Sequence, residues 1–530
     1  MKRLLVVIVA LWSLGAGSAA GQSFRNELEK FGSFYYYLNS LYVDPLDNPA
    51  LIEEAIRSTL ATLDPHSAYL SPEEVKADMA MMEGSFGGIG VSYSPVRDTL
   101  CVMDVVPDSP ADKAGIKRGD RLVAIDGVPT KGAQRDSLSA MVRGKVGTPI
   151  TLTVARAGEE PKEVVVKRGE IPISTVDAAY TIYNIGYIKV NRFAENTMEE
   201  FRKAYKSLGD ISGGLILDLR GNGGGLLTQG IEMASFFLPK KCLITTTKGR
   251  TEKSYNHYSK GKGVYTTGPL VVMIDESSAS ASELVSGALQ DYDRAVIVGR
   301  QSFGKGLVQK QVMMDDGSAL RITTSHYYTP SGRCIQRPFE KGKSAEYYFD
   351  HAKRMTDRYY RDSLAVVAPK FKTLNAGRTV LGGGGITPDV YVDIDTTKNY
   401  TYANLLQQKY VVSDVANEYF IDNLQHLQAT YPTLDSFVEG WNAPEEMVEE
   451  VISRGGAAGV EAVEESMADS RPLLAYYLKC SIALAMWGTE GYVKVANTHF
   501  EESFTEAVNI LLNPTRYNSI LGVQTSAGKR

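Results

Sequence analysis

Asp275-Glu276-Ser277-Ser278-Ala279-Ser280-Ala281-Ser282-Glu283 stands where one hydrophobic pattern gives way to another. Ahead of it, Leu270-Val271-Val272-Met273-Ile274 is an unbroken apolar run that reads as a buried strand. Behind it, Leu284, Val285, Ala288 and Leu289 fall on one face of a helix. A strand, a tight turn of small residues and a helix make an α/β unit, and the turn is a good mount for a nucleophile. The first turn of a helix leaves N–H groups unpaired and carries partial positive charge. Such groups stabilise an oxyanion beside the nucleophile. Serine is also a preferred helix cap, and the stretch alone leaves both readings open.

A second stretch follows closely, Gly299-Arg300-Gln301-Ser302-Phe303-Gly304-Lys305-Gly306-Leu307-Val308-Gln309. Lys305 lies between two glycines, where the backbone turns tightly and approaches other groups closely. Together the two stretches resemble the carboxyl-terminal processing peptidases, the serine–lysine endopeptidases of the tail-specific protease family S41. The family's S-A-S-A-S-E matches Ser278 to Glu283, which implies Ser280 as nucleophile. Its F-G-K-G-x-V-Q matches Phe303 to Gln309, which implies Lys305 as base and Gln309 as the residue orienting it. Glu283 is assigned to local structure.

Length and composition bound the rest. A chain of 530 residues exceeds one simple core, and three or four domains are expected. Apolar content of 43%, charged content of 22% and a formal charge of −5 are ordinary for a globular protein and give no sign of nucleic-acid binding. The four cysteines, 101, 242, 334 and 480, are far apart, with no CxxC or Cys/His cluster. Neither a metal nor a cofactor is expected. Lys2 and Arg3 precede an apolar run from Leu4 to Leu14 and small residues through Gly21. That is the layout of a secretory signal peptide over 1–21, cut between Gly21 and Gln22, so the chain is expected to be exported, in the periplasm.

Outward from the serine turn, residues 22–83 read as helices, with Leu28, Phe31, Tyr35, Leu38 and Tyr42 forming an amphipathic stripe. Leu63-Asp64-Pro65-His66-Ser67-Ala68-Tyr69-Leu70 resembles the segment ahead of the family's PDZ domain, and His66 is read as structural. Residues 84–169 resemble that PDZ domain. Phe86 to Val91 matches its carboxylate loop, so Gly88, Ile89, Gly90 and Val91, with Met141 and Val142 on a facing helix, are expected to hold a peptide tail. Residues 170–395 read as the protease core, with a buried strand Leu215–Leu219 leading into Arg220-Gly221-Asn222-Gly223-Gly224-Gly225. The resemblance implies that this glycine turn supplies the second oxyanion N–H, from Gly224 or Gly225, beside that of Ala281. It further implies the spiral α/β fold shared distantly with Clp-type peptidases and crotonases. Residues 340–365 read as a helical insertion, and 396–530 as a C-terminal helical domain.

The expected activity is therefore a serine endopeptidase acting on exported proteins with exposed apolar C-termini. A homo-oligomer and an envelope adaptor protein are left open as partners. The rivals are a catalytically silent PDZ scaffold and a crotonase-like acyl-CoA enzyme. A Ser-His-Asp mechanism would have to use His326, the one histidine near the core motifs.

Overall fold

The computed structural model describes residues 19–523 apart from 98, 134, 262 and 500. The chain divides into two compact units, the first ending at Leu63. Among the described residues that first unit holds two helices, Ala19–Leu41 and Asn48–Ala61, the second capped by the Asp47 side chain. The expected stripe on the first helix forms but stays largely open, with Leu28, Phe31 and Tyr42 all exposed. The expected leader lies outside the described residues except for its last three, which open this helix. Among the described residues no helix is long and apolar enough to cross a membrane.

The second unit begins at Asp64, so the expected helical region 22–83 is divided. Its helix Pro72–Glu83 is capped by a reciprocal Ser71–Glu74 box and ends at Gly84 in the left-handed conformation. Ser85–Gly88 then pairs with Gly169–Pro172, closing the entry and exit of a small β domain. That domain is a sheet of Val91–Val96, Thr99–Val105, Arg121–Ile125, Pro149–Ala155 and Lys162–Lys167 in that order. Its core holds Ile89, Leu100, Val102, Leu122, Leu138 and Leu152.

The central sheet has six strands. Val176–Ile182 is antiparallel to Ile185–Val190; Gly214–Asp218, Leu270–Ile274, Val296–Gly299 and Val390–Tyr391 follow in parallel. Both faces are covered, which is why these strands are apolar throughout rather than alternating. On one face Leu215, Leu217, Val272 and Ile274 pack with helices Leu227–Phe237 and Ala281–Asp291. On the other, Ile216, Val271, Met273 and Val298 pack against Phe504, Ala507, Val508 and Leu511.

That second covering departs from the expected organisation. The helices Glu502–Leu511 and Pro514–Ile520 complete the protease core instead of belonging to a separate C-terminal domain. The helices from Thr401 to His499 do build a core of their own, but it takes in Val96, Cys101 and Met103 from the small β domain. A second sheet carries Ala68–Leu70, Ala319–Tyr328, Leu243–Gly249 and Tyr255–Tyr258, with Leu307–Met313 as hairpin partner of Ala319–Tyr328. The insertion is helical as expected, over Ser344–Thr356 and Arg358–Val367. All four cysteines are free thiols.

Candidate active site

Ser280 sits at the junction of strand and helix with φ 55° and ψ −111°, a backbone state a non-glycine residue rarely adopts. Such strain costs about 1–3 kcal/mol and persists only where the surroundings enforce it. Here the flanking serines help enforce it. Ser278 Oγ donates to the Leu219 carbonyl (2.8 Å) and Ser282 Oγ to the Asn222 carbonyl (2.8 Å), and both residues are fully buried. The Ala279 N–H also reaches the Asn222 carbonyl (3.0 Å). The Ser278 and Ser282 hydroxyls are thus spent fastening the serine turn to Leu219 and to the glycine turn that follows it. Ser280 Oγ donates no hydrogen bond among the described residues and lines a cavity of about 600 Å³.

The same cavity is lined by Gly223, Gly224, Gly225, Ala281, Lys305 and Gln309. Gly224 has φ +99°, and a Cβ there would fall 2.7 Å from the Ser280 Cβ, so only glycine lets the two turns meet. Its N–H, however, is taken by Asn222 Oδ1 (2.9 Å). Of the two glycines expected to face an oxyanion, Gly225 is the one whose N–H has no partner among the described residues. The Ala281 N–H, at the start of the helix, is likewise unpaired.

Lys305 Nζ donates to Gln309 Oε1 (2.9 Å), and Gln309 Nε2 donates in turn to the His66 carbonyl (2.6 Å). The second bond fixes which end of the amide faces the lysine. Burial pushes the Lys305 amine below its ordinary pKa; the Arg321 guanidinium adds to this, while Glu283 and Asp64 oppose it. No hydrogen bond joins Ser280 to Lys305 among the described residues.

Glu283 proves to be more than a local helix residue. It is fully buried, and its two oxygens take four donors. Oε1 accepts from Ser302 Oγ (2.6 Å) and the Gly304 N–H (2.7 Å); Oε2 accepts from the N–H groups of Ser280 (2.8 Å) and Lys305 (2.8 Å). One carboxylate therefore joins both motif stretches. Burial raises its pKa against the pull of these donors. The Tyr327 hydroxyl completes the turn by donating to the Ser280 carbonyl (3.0 Å).

His66 is structural, as read. Burial and the nearby Lys305 charge hold its pKa at about 4, and it contributes its carbonyl rather than its ring to the site. Asp64 Oδ1 sets that carbonyl by accepting the N–H groups of His66 (2.9 Å) and Ser67 (2.8 Å). His326 is exposed and does not line the cavity, which removes the Ser-His-Asp alternative.

In the small β domain, Gly88, Ile89 and Gly90 are buried, and Gly88 is the last residue of a strand rather than part of an open loop. Val142 is buried in the domain core with Leu138, whereas Val91, Tyr93 and Met141 are half-buried at its edge. Arg118 bonds Asp104 and approaches the Phe420 ring, and Arg143 lies over Phe86.

A model of peptidase family S41 matches residues 184–341, a PDZ-domain model matches 101–156, and a family of unknown function matches 402–488. The chain is similar to the carboxy-terminal-processing protease of Bartonella bacilliformis, 39% identical over 323 residues, covering 59% of this chain and 74% of that one. It is similar to the carboxy-terminal processing protease CtpA of Bacillus subtilis, 32% identical over 361 residues, covering 66% and 77%. Among solved structures, a photosystem II D1 C-terminal processing protease is 25% identical, covering 68% of this chain and 86% of that one at a TM-score of 0.35. These matches set the acyl-CoA and silent-scaffold readings aside: the chain belongs to peptidase family S41, among the carboxy-terminal-processing serine proteases, and carries a PDZ domain ahead of its catalytic core.

Proposed function

We propose that this serine protease works through a Ser280–Lys305 dyad and cuts exported proteins whose C-terminal tails its PDZ domain has read. The observation carrying the dyad is that Ser280, whose hydroxyl donates to no group among the described residues, shares a cavity with a lysine bonded to a neutral amide and depressed in pKa. A lysine serves as base only when uncharged, and burial provides that state nearer neutral pH. Lys305 takes the Ser280 proton as Oγ attacks the peptide carbonyl. The Ser280–Lys305 hydrogen bond forms as substrate fills the cavity; such contacts are often loose in the free enzyme. The N–H groups of Ala281 and Gly225 hold the oxyanion, Lys305 returns the proton to the leaving amine, and water clears the acyl-enzyme.

The tail is read by strand addition beside Val91 and Tyr93. Its carboxylate lies against Gly88, Ile89 and Gly90, and its apolar end packs on Met141 and the edge of the core at Val142. Export rests on the leader pattern of residues 1–21. The large exposed residues of the helix Ala19–Leu41 would suit a second copy or an adaptor.

The test is proteolysis of a tail-exposed protein, with labelling by a fluorophosphonate. Ser280→Ala and Lys305→Ala should each abolish turnover, and the double variant should lose no more than either alone. Ser280→Ala should also lose the label, while Ser278→Ala keeps it. Turnover by Ser280→Ala together with an inactive Ser278→Ala would overturn the assignment.

A further inference from the structure

A second concavity, of about 310 Å³, lies between the inserted helices and the glycine run Gly382–Gly385. Its floor holds two unused donors. The N–H groups of Gly382, Gly383 and Gly385 go to the carbonyls of Pro369, Cys334 and Ile335, but that of Gly384 has no partner among the described residues, although the residue is buried. Above it lies Arg354, whose Nε is held by Asp350 (2.8 Å) and whose two terminal nitrogens have no hydrogen-bond partner among the described residues. Arg354 Nη1 is 2.9 Å from where a Cβ on Gly384 would be, so the guanidinium lies directly against the residue that carries the unused N–H. The other guanidinium on the wall, Arg361, is engaged by Asp393 and lies over the Tyr391 ring; Asp362 stands at the rim, largely exposed. The remaining walls are mostly apolar, among them Leu364, Val367, Pro369 and Leu381.

A guanidinium edge and a backbone N–H meeting at the floor of an apolar pocket suit a carboxylate next to an apolar side chain. We propose that this pocket binds the free C-terminal carboxylate of a short apolar peptide. It would be a tail site separate from the PDZ groove and from the Ser280 cavity. The proposal rests on the protease reading for the source of its ligand, since a carboxy-terminal-processing reaction consumes one free tail and releases peptides with new ones. The Gln301 amide, donating to the Gly384 carbonyl (2.7 Å), and Thr387 add polar groups that suit a peptide and that a fatty acid could not use.

The pocket floor is continuous with the catalytic loop. The Ile386 N–H donates to Ser302 Oγ (2.6 Å), and that hydroxyl donates to Glu283 (2.6 Å), whose other oxygen holds the N–H groups of Ser280 and Lys305. A peptide bound on Gly384 is thus two residues along the chain from Ile386, where the hydrogen-bond path that aligns nucleophile and base begins.

Calorimetry with N-acetyl-leucine tests this, a ligand too short to add as a strand in the PDZ groove. Binding should be equal in the wild-type and Ser280→Ala proteins and absent for N-acetyl-leucinamide. Arg354→Gln should weaken it about tenfold or more, the loss expected for a charge-assisted contact. Gly384→Val is the second variant. The backbone there is not in the left-handed region, and an added Cβ meets only the mobile tips of Arg354 and Gln301, so the protein should fold while the pocket is filled and binding is lost. Full affinity in either variant, or equal binding of the amide, overturns the proposal; octanoate binding as tightly as N-acetyl-leucine overturns the assignment to a peptide. Because heat of binding is read on a protein that cannot cleave, its absence leaves the protease reading intact. A wild-type protein that binds but does not cleave would sink that reading instead.

Discussion

At the scale of single residues the site is governed by which hydrogen-bonding groups are already taken. Lys305 gives its bond to an amide with no charge, so the depression of its pKa by burial is not cancelled by a paired carboxylate. Activity should therefore fall on acidification, along a limb lying below the ordinary lysine pKa of about 10.4. His66, held at about 4, is neutral over that range and adds nothing to the limb. Gln309→Glu places an anion against the amine, favours its charged form and should move the limb to higher pH; a kcat/KM profile that does not move counts against a lysine base. Glu283 is the complementary case. All four of its partners are donors, so Glu283→Gln turns an amide NH2 towards at least one N–H or hydroxyl that needs an acceptor. We expect a loss of roughly 2–4 kcal/mol in denaturant melts and a far larger loss in turnover than any other single change in the helix behind Ser280. The sequence pointed to Ser280, Lys305 and Gln309 because each lies in a short, contiguous pattern. It could not show Glu283 as the joint, because the groups it binds come together only when residues 302–305 fold back onto the serine turn.

At the scale of elements, the strand–turn–helix units were legible for a similar reason: apolar runs such as Leu270–Ile274 and the small-residue turns after them are local. The inserted helix Ser344–Thr356 was readable as a helix, but its purpose was not, since its partners are distant in sequence. Its Tyr347 is buried, its hydroxyl lies 3.2 Å from His66 Nε2, and its ring is stacked on the Arg337 guanidinium at 3.9 Å. His66 in turn offers the carbonyl that orients Gln309. Tyr347→Phe keeps the ring and removes the hydroxyl. It should lower kcat by about two- to tenfold, the worth of one hydrogen bond, with little change in KM, and shift the acid limb as Gln309 loosens. A drop in melting temperature with an unmoved pH profile would reduce Tyr347 to packing alone.

Over the whole molecule, the chain does not divide where composition suggested, because two of its cores are assembled from distant segments. Phe504, Val508 and Leu511 cover one face of the central sheet, so a chain ending before Glu502 should be insoluble or inactive even though every catalytic group is present. The PDZ domain is similarly committed. Val96, Cys101 and Met103 lie in one core with Val412, Val415 and Phe420, and Asn417 Nδ2 donates to Ser94 Oγ (2.9 Å). Deleting the PDZ domain would strip apolar side chains from that core and confuse lost tail reading with lost folding. A point change at the groove separates the two. Met141 is half-buried beside the expected peptide site, and Met141→Asp sets a carboxylate where the tail's own carboxylate and apolar end would pack. If the groove reads a charged free terminus, wild-type protein should cut a free-acid tail with a kcat/KM about tenfold or more above that of the amidated tail, as expected for loss of a charge-assisted contact. In the Met141→Asp protein the two rates should converge, the free-acid rate falling to meet the other. Equal cleavage of both tails by the wild-type protein would show that tail charge is not read in the groove, and the buried positions of Gly88 to Gly90 would then have a purely structural meaning.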